Sequence, residues 1–104
     1  NVCLDSLYII EFIYKYYKEN NVSNKYSIPF GWLNKYFEKM NNKNKFFQLI
    51  REKFMLMQDD VVDNKNVYSK RDLIFFSCIL NSNNYYYFKF KYLLSRIFGI
   101  SYAK

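Results

Sequence analysis

The chain has 104 residues, 51% of them hydrophobic and 23% aromatic, which is room for one core and far from the composition of a disordered segment. Lys and Arg number 16 against 9 Asp and Glu, a formal charge of +7, and the absence of His removes the commonest general base and metal ligand. With only 2 Gly and 1 Pro, the turn residues that a sandwich of many short strands needs are missing, so an all-α domain is expected.

Asp5 is placed as the N-cap of a first helix that reaches about Asn20. Leu7, Ile10, Tyr14 and Tyr17 make one apolar stripe and Ile9, Ile13 and Tyr16 a second beside it, which predicts a helix covered on more than one side. Glu11, Lys15 and Lys18 are its polar face. The Asn-rich run 20–24 ends it, and the sequon-like Asn21-Val22-Ser23 within that run is read as coincidence.

Ser27-Ile28-Pro29 opens a second helix with Pro29 in its first turn. Phe30, Leu33, Phe37 and Met40 then recur at intervals of 3, 4 and 3, flanked by Trp32 and Tyr36, and Trp32 is read as core. A third helix is expected from about Lys45 to Gln58, carrying Phe47, Ile50, Phe54 and Met57 on one stripe. The short polar link between the two makes them an antiparallel hairpin, and residues 46–56 are the stretch around which the others are expected to gather.

Residues 59–66 are read as a solvated acidic turn. As a calcium loop they fail, because Val62 and Lys65 fall where a ligand and a Gly are needed and Arg71 where a closing Glu belongs. Ser69-Lys70-Arg71-Asp72 has the form of a capping box for a fourth helix through Leu73, Phe76 and Leu80. Residues 85–98 fit both a strand, from the alternation of Phe88, Phe90 and Tyr92 with Lys89 and Lys91, and a helix, from Phe90, Leu93, Leu94 and Ile97. Gly99 as a C′ residue favours the helix. The expectation is thus a single domain of four to five helices in antiparallel hairpins, as a HEAT-like stack or a compact bundle, and an excised piece of a longer chain.

Three runs, Asn34-Lys35-Tyr36-Phe37-Glu38-Lys39-Met40, Arg51-Glu52-Lys53-Phe54-Met55-Leu56 and Gln58-Asp59, resemble the closing repeats of the HEAT-like middle domain of the eukaryotic translation initiation scaffold, factor 4G. Lys53 to Leu56 match directly, and Gln58 and Asp59 match once Met57 is taken as an insertion. Asn64-Lys65-Asn66-Val67 departs from the family, which continues Leu-Arg toward a Trp, and nothing from Leu73 onward matches. The resemblance implies a scaffold without catalysis that docks an RNA helicase and RNA through basic helix ends.

Lys43, Lys45, Arg51, Lys53, Lys65, Lys70 and Arg71 are the candidate contacts at the ends of the third and fourth helices. Tyr85 and Tyr87 with Lys89 and Lys91 form a second candidate surface, a stacking platform for single-stranded RNA or a contact for an anionic membrane. The chain carries no Gly-rich phosphate loop, nucleophile elbow or metal-ligand spacing, so it is read as neither an enzyme nor a cofactor protein, with no small-molecule substrate. Its abundant Asn, Lys, Tyr, Phe and Ile have A/T-rich codons, so the positive charge has two readings, selected for a polyanion or inherited from composition. A protein partner is the first expectation, and a basic bundle on nucleic acid or an anionic membrane surface the alternative. Cys3 and Cys78, far apart and in apolar surroundings, are read as buried thiols in a reducing, intracellular compartment, cytoplasmic by that argument.

Overall fold

Helix α2, Lys43–Asp63, touches every other long element. Asn42 starts it by accepting the Lys45 amide at 3.0 Å. Phe46, Phe47, Ile50, Phe54, Met57 and Val61 give it one buried stripe. The computed structural model describes residues 2–98, and all of their regular structure is helical: α1 (Val2–Glu19), a 3₁₀ helix η1 (Phe30–Lys39), α2, a 3₁₀ turn η2 (Lys65–Val67), α3 (Lys70–Leu80) and α4 (Tyr85–Phe98). The all-α helical bundle is as expected. Gly99 lies outside the described residues.

Several boundaries differ from the sequence expectation. The first helix begins ahead of Asp5, so Asp5 sits in its first turn and is not its cap. It ends in a Schellman motif: Val22 N–H donates to Tyr17 O at 3.0 Å, Asn21 N–H to Lys18 O at 3.3 Å, and Asn21 takes the left-handed conformation with φ 57. The acidic run 59–63 is not a turn but the last turns of α2, because Val61 continues the buried stripe and Asp60 is held by α1. Only Lys65–Val67 forms a tight turn before α3.

The largest departure is η1. Its apolar spacing predicts an α-helix, yet ten residues form a 3₁₀ helix, with Pro29 just ahead of it and not within its first turn. Two ring clusters pin its ends. Phe30 packs among Phe54, Tyr68 and Phe76 at centroid separations of 5.0, 5.4 and 4.9 Å, and Phe37 among Phe46, Tyr85 and Phe88 at 5.2, 4.7 and 5.6 Å. Seven residues cover about 14 Å at the 3₁₀ rise and about 10.5 Å at the α rise, so the stretched form lets both rings reach their clusters.

Rings carry the core onward from there: Phe54 meets Phe76 at 4.6 Å, Phe75 meets Phe88 and Tyr92 at 5.5 Å each, and Phe47 meets Phe88 at 5.8 Å. Much of the aromatic content is therefore core. The capping box of α3 is half realised, Ser69 accepting the Asp72 amide at 3.1 Å while the Asp72 carboxylate turns away to η1. Asn84 caps α4 through the Tyr87 amide at 2.9 Å, and Asn44 accepts the Tyr85 amide at 3.0 Å, tying the start of α4 to the start of α2.

α1 is covered on one side, not on several. Leu7 and Ile10 are buried, whereas Tyr8, Ile9, Phe12 and Tyr16 stand exposed. Toward α2 its contact is polar: Glu11 accepts from Lys53 at 2.9 Å, Tyr14 donates to Asp60, and Lys18 pairs with Asp60 at 3.4 Å. The Cα envelope measures 36 × 33 × 18 Å, a slab about two helix layers thick, so outward faces are a large part of the molecule.

Candidate docking surfaces

The expected cationic edge divides into two groups. Lys43 and Lys45 lie in the first turn of α2, and Lys65, Lys70 and Arg71 beyond its far end. The 21 residues between those ends span roughly 30 Å. Lys45, Lys65, Lys70 and Arg71 are exposed and carry no ion pair among the described residues. The other three are engaged within the fold. Lys43 donates to Met40 O at 3.0 Å, Arg51 reaches the last carbonyl of α3, Leu80 O, at 3.5 Å, and Lys53 is paired with Glu11.

The tyrosine surface also separates. Tyr85 is only 4% exposed, wedged against Phe37, so of the two candidate rings only Tyr87 faces solvent. Burial, then the nearby Glu38 carboxylate, raise the Tyr85 hydroxyl above its ordinary pKa. Lys91 donates to Asn81 O at 2.6 Å and sits over the Tyr87 ring at 4.6 Å, while Lys89 stays exposed.

Two further surfaces are assembled, the second on the segment already read as a candidate contact. The first is a groove of about 150 Å³ between α1 and η1, lined by Ile9, Ile13, Pro29, Trp32, Leu33 and Tyr36. Trp32, expected in the core, is 64% exposed at its edge. It lies outside the core because Phe30, Leu33 and Phe37 take the inward side, and position 32 stands away from all three. Lys35 lies 5.4 Å from the Trp32 ring and 5.2 Å from Tyr36, and Lys39 lies 5.8 Å from Tyr36, cation–π contacts that hold two ammonium groups at the groove mouth. Neither makes an ion pair among the described residues.

The second is the outer face of α4. Tyr85, Phe88, Tyr92 and Ser95 turn inward, leaving Tyr86, Phe90, Leu93 and Ile97 outward at intervals of 4, 3 and 4. Phe90, Leu93 and Ile97 are the residues that marked this segment as helical, and they lie on its solvent side. Between α4 and η1 a further cleft of about 150 Å³ brings Lys89 and Arg96 near Glu38 and Asn34. Arg96 and Lys35 could have been found by plotting the chain's cations around its apolar stripes. Trp32 could have been found the same way, since even in an α-helix it lies across from the stripe of Phe30, Leu33 and Phe37.

No family model, curated protein or solved structure matches the chain. Its function is argued from these surfaces.

Proposed function

We propose that the chain is a non-catalytic helical docking module that receives an acidic amphipathic helix of a protein partner in the groove between α1 and η1. The observation that carries this reading is the groove itself: apolar walls from Ile9, Ile13, Pro29 and Tyr36, an exposed indole at the edge, and two unpaired ammonium groups at the mouth. Apolar anchors at i, i+4 and i+7 on a partner helix fit such a trough, and carboxylates on its flanks would meet Lys35 and Lys39. The outer aromatics of α1, Phe12 and Tyr16, stacked at 6.5 Å, extend the apolar surface beyond the groove.

A role as a translation-type scaffold is one form of this proposal, with an RNA helicase as the protein docked. It rests on the runs at Asn34 to Met40, Arg51 to Leu56 and Gln58-Asp59. Within the second run Phe54 is buried while Met55 and Leu56 are exposed and open to contact.

Trp32, the single Trp of the chain, provides the assay. Titration with a synthetic acidic amphipathic peptide should shift its emission to the blue as the indole leaves water. Lys35→Gln with Lys39→Gln should weaken the interaction several-fold, and a peptide with Lys in place of its acids should not bind. Unchanged Trp32 emission at about 1 mM peptide, where a contact of only −4 kcal/mol would register, would refute the groove as a docking site.

A further inference from the structure

We infer that the outer face of α4 docks the protein on an anionic lipid bilayer, with the helix lying in the plane of the headgroups. This surface is separate from the groove beside Trp32. Tyr86, Tyr87, Phe90, Leu93 and Ile97 are each more than half exposed, and all belong to this one helix of 14 residues, about 21 Å long. The side that packs on the bundle is already occupied by Tyr85, Phe88, Tyr92 and Ser95. The outward apolar face is thus additional to what the fold requires.

The charge around that face has one sign. Lys89 and Arg96 border it on the η1 side and Lys91 on the other, and α4 contains no Asp or Glu. Glu38, across the cleft on η1, is the acid that shares a wall with Lys89 and Arg96. Apolar and aromatic side chains on one face of a helix with cations at its margins match the acyl boundary and the phosphate level of an anionic leaflet, into which such a helix sinks about 5–10 Å. A second copy of the chain fits less well, because a two-fold contact across this face would set Lys89, Lys91 and Arg96 against their own copies. A stacking site for RNA needs a row of open rings, and here Tyr85 is withdrawn into the core while three of the five exposed residues of the outer face, Phe90, Leu93 and Ile97, are not tyrosines and two are aliphatic. No helix of the described residues is long and apolar enough to cross a membrane, so the contact is a peripheral one.

The test is co-sedimentation of the whole chain with vesicles of phosphatidylcholine alone and of phosphatidylcholine with phosphatidylserine as about a third of the lipid. The wild type should sediment with the anionic vesicles and stay in solution with the neutral ones. Lys89→Gln with Arg96→Gln should lower the partition about 25-fold, five-fold for each cation removed. Phe90→Ser with Leu93→Ser should abolish it while far-ultraviolet circular dichroism stays that of the wild type, since both side chains are more than half exposed and outside the core. Equal binding to both vesicle types, no binding to either, or full binding by the folded Phe90→Ser, Leu93→Ser variant would overturn the inference. So would displacement of the vesicles by single-stranded RNA that the same variant still binds, which would mark the cations as a polyanion site independent of the apolar face.

Discussion

The Asp72 carboxylate accepts a hydrogen bond from the Gly31 amide at 3.0 Å, joining the first turn of α3 to the first residues of η1. It also fills the space beside Gly31: a Cβ added there would meet Asp72 Oδ1 at 2.8 Å, closer than real contacts allow. Gly31→Ala should therefore cost about 1–3 kcal/mol, by pushing the carboxylate off the amide. Asp72→Ala should cost about 1–2 kcal/mol through the lost hydrogen bond and the lost negative charge at a helix N-terminus. Because the two changes break one contact, the double variant should fall short of their sum by about 0.5 kcal/mol or more in urea denaturation. Strict additivity would show the pair to be energetically unlinked.

Burial separates neighbours on α2 just as sharply. Phe54 is 0% exposed and touches Phe30 and Phe76, while Leu56, two residues on, is 72% exposed. Phe54→Ala should cost about 3–5 kcal/mol and Leu56→Ala within about 0.5 kcal/mol of nothing. Comparable losses at both positions would mean that Leu56 is covered in solution by a second chain.

Those two positions also mark what the sequence made legible. Phe47, Ile50, Phe54 and Met57 lie on one stripe, with Met55 and Leu56 the apolar residues among mostly polar neighbours opposite, so the inward side of α2 follows from spacing alone. α1 and α4 each carry two apolar stripes, and periodicity cannot choose between them. On α4 the stripe through Phe90 and Leu93 was the visible one and turned out to face water, because Phe88 and Tyr92 complete the ring cluster around Phe75. The 3₁₀ form of η1 was hidden for a related reason. Its spacing is that of an α-helix, and only the distance between its two anchoring clusters stretches it. The groove beside Trp32 forms where η1 meets α1, a contact between elements that no local pattern encodes. Of the basic residues, Lys53 looked available until Glu11 of α1 came within 2.9 Å, a pairing between helices that no local pattern encodes.

Stability should fall in alkali. The Tyr68 hydroxyl is pushed up from 10.0 to about 12, mainly by burial, against an opposing hydrogen bond with the Ile28 backbone. Burial also raises Tyr14, with its bond to Asp60 adding to the effect, and burial raises Tyr85. Below pH 10 both folded and unfolded chains keep these protons and the stabilisation is complete. Between pH 10 and about 12 the unfolded chain releases the Tyr68 proton first, so stability is lost as pH rises through this window. Urea midpoints measured from about pH 9 to about pH 11 should decline. Tyr68→Phe, which keeps the ring stacked on Phe30 at 5.4 Å, should make that decline shallower without removing it, since Tyr14 and Tyr85 still titrate. An identical slope in the variant would assign the effect to other groups.

The two cysteines should report two different openings of the fold. Cys78 is 0% exposed on α3, and burial raises its thiol, so forming the reactive thiolate requires the core to open. Cys3 is also buried, but it sits in the first turns of α1, where its Sγ donates to Tyr36 O at 3.8 Å. α1 lies at the margin of the slab and is fastened to α2 by the Glu11–Lys53 pair and by the contacts of Asp60 with Tyr14 and Lys18. Its release uncovers Cys3, Leu7 and Ile10 but leaves the ring clusters of η1, α2, α3 and α4 in place, so its opening should cost less than global unfolding. Alkylation under native conditions should accordingly modify Cys3 well before Cys78. Cys78 labelling should rise with urea along the global unfolding curve, whereas Cys3 labelling should depend on urea weakly. Glu11→Gln combined with Asp60→Asn should speed Cys3 labelling several-fold and leave that of Cys78 within the change expected from global stability. Equal rates at the two thiols would show that α1 does not separate from the bundle on its own.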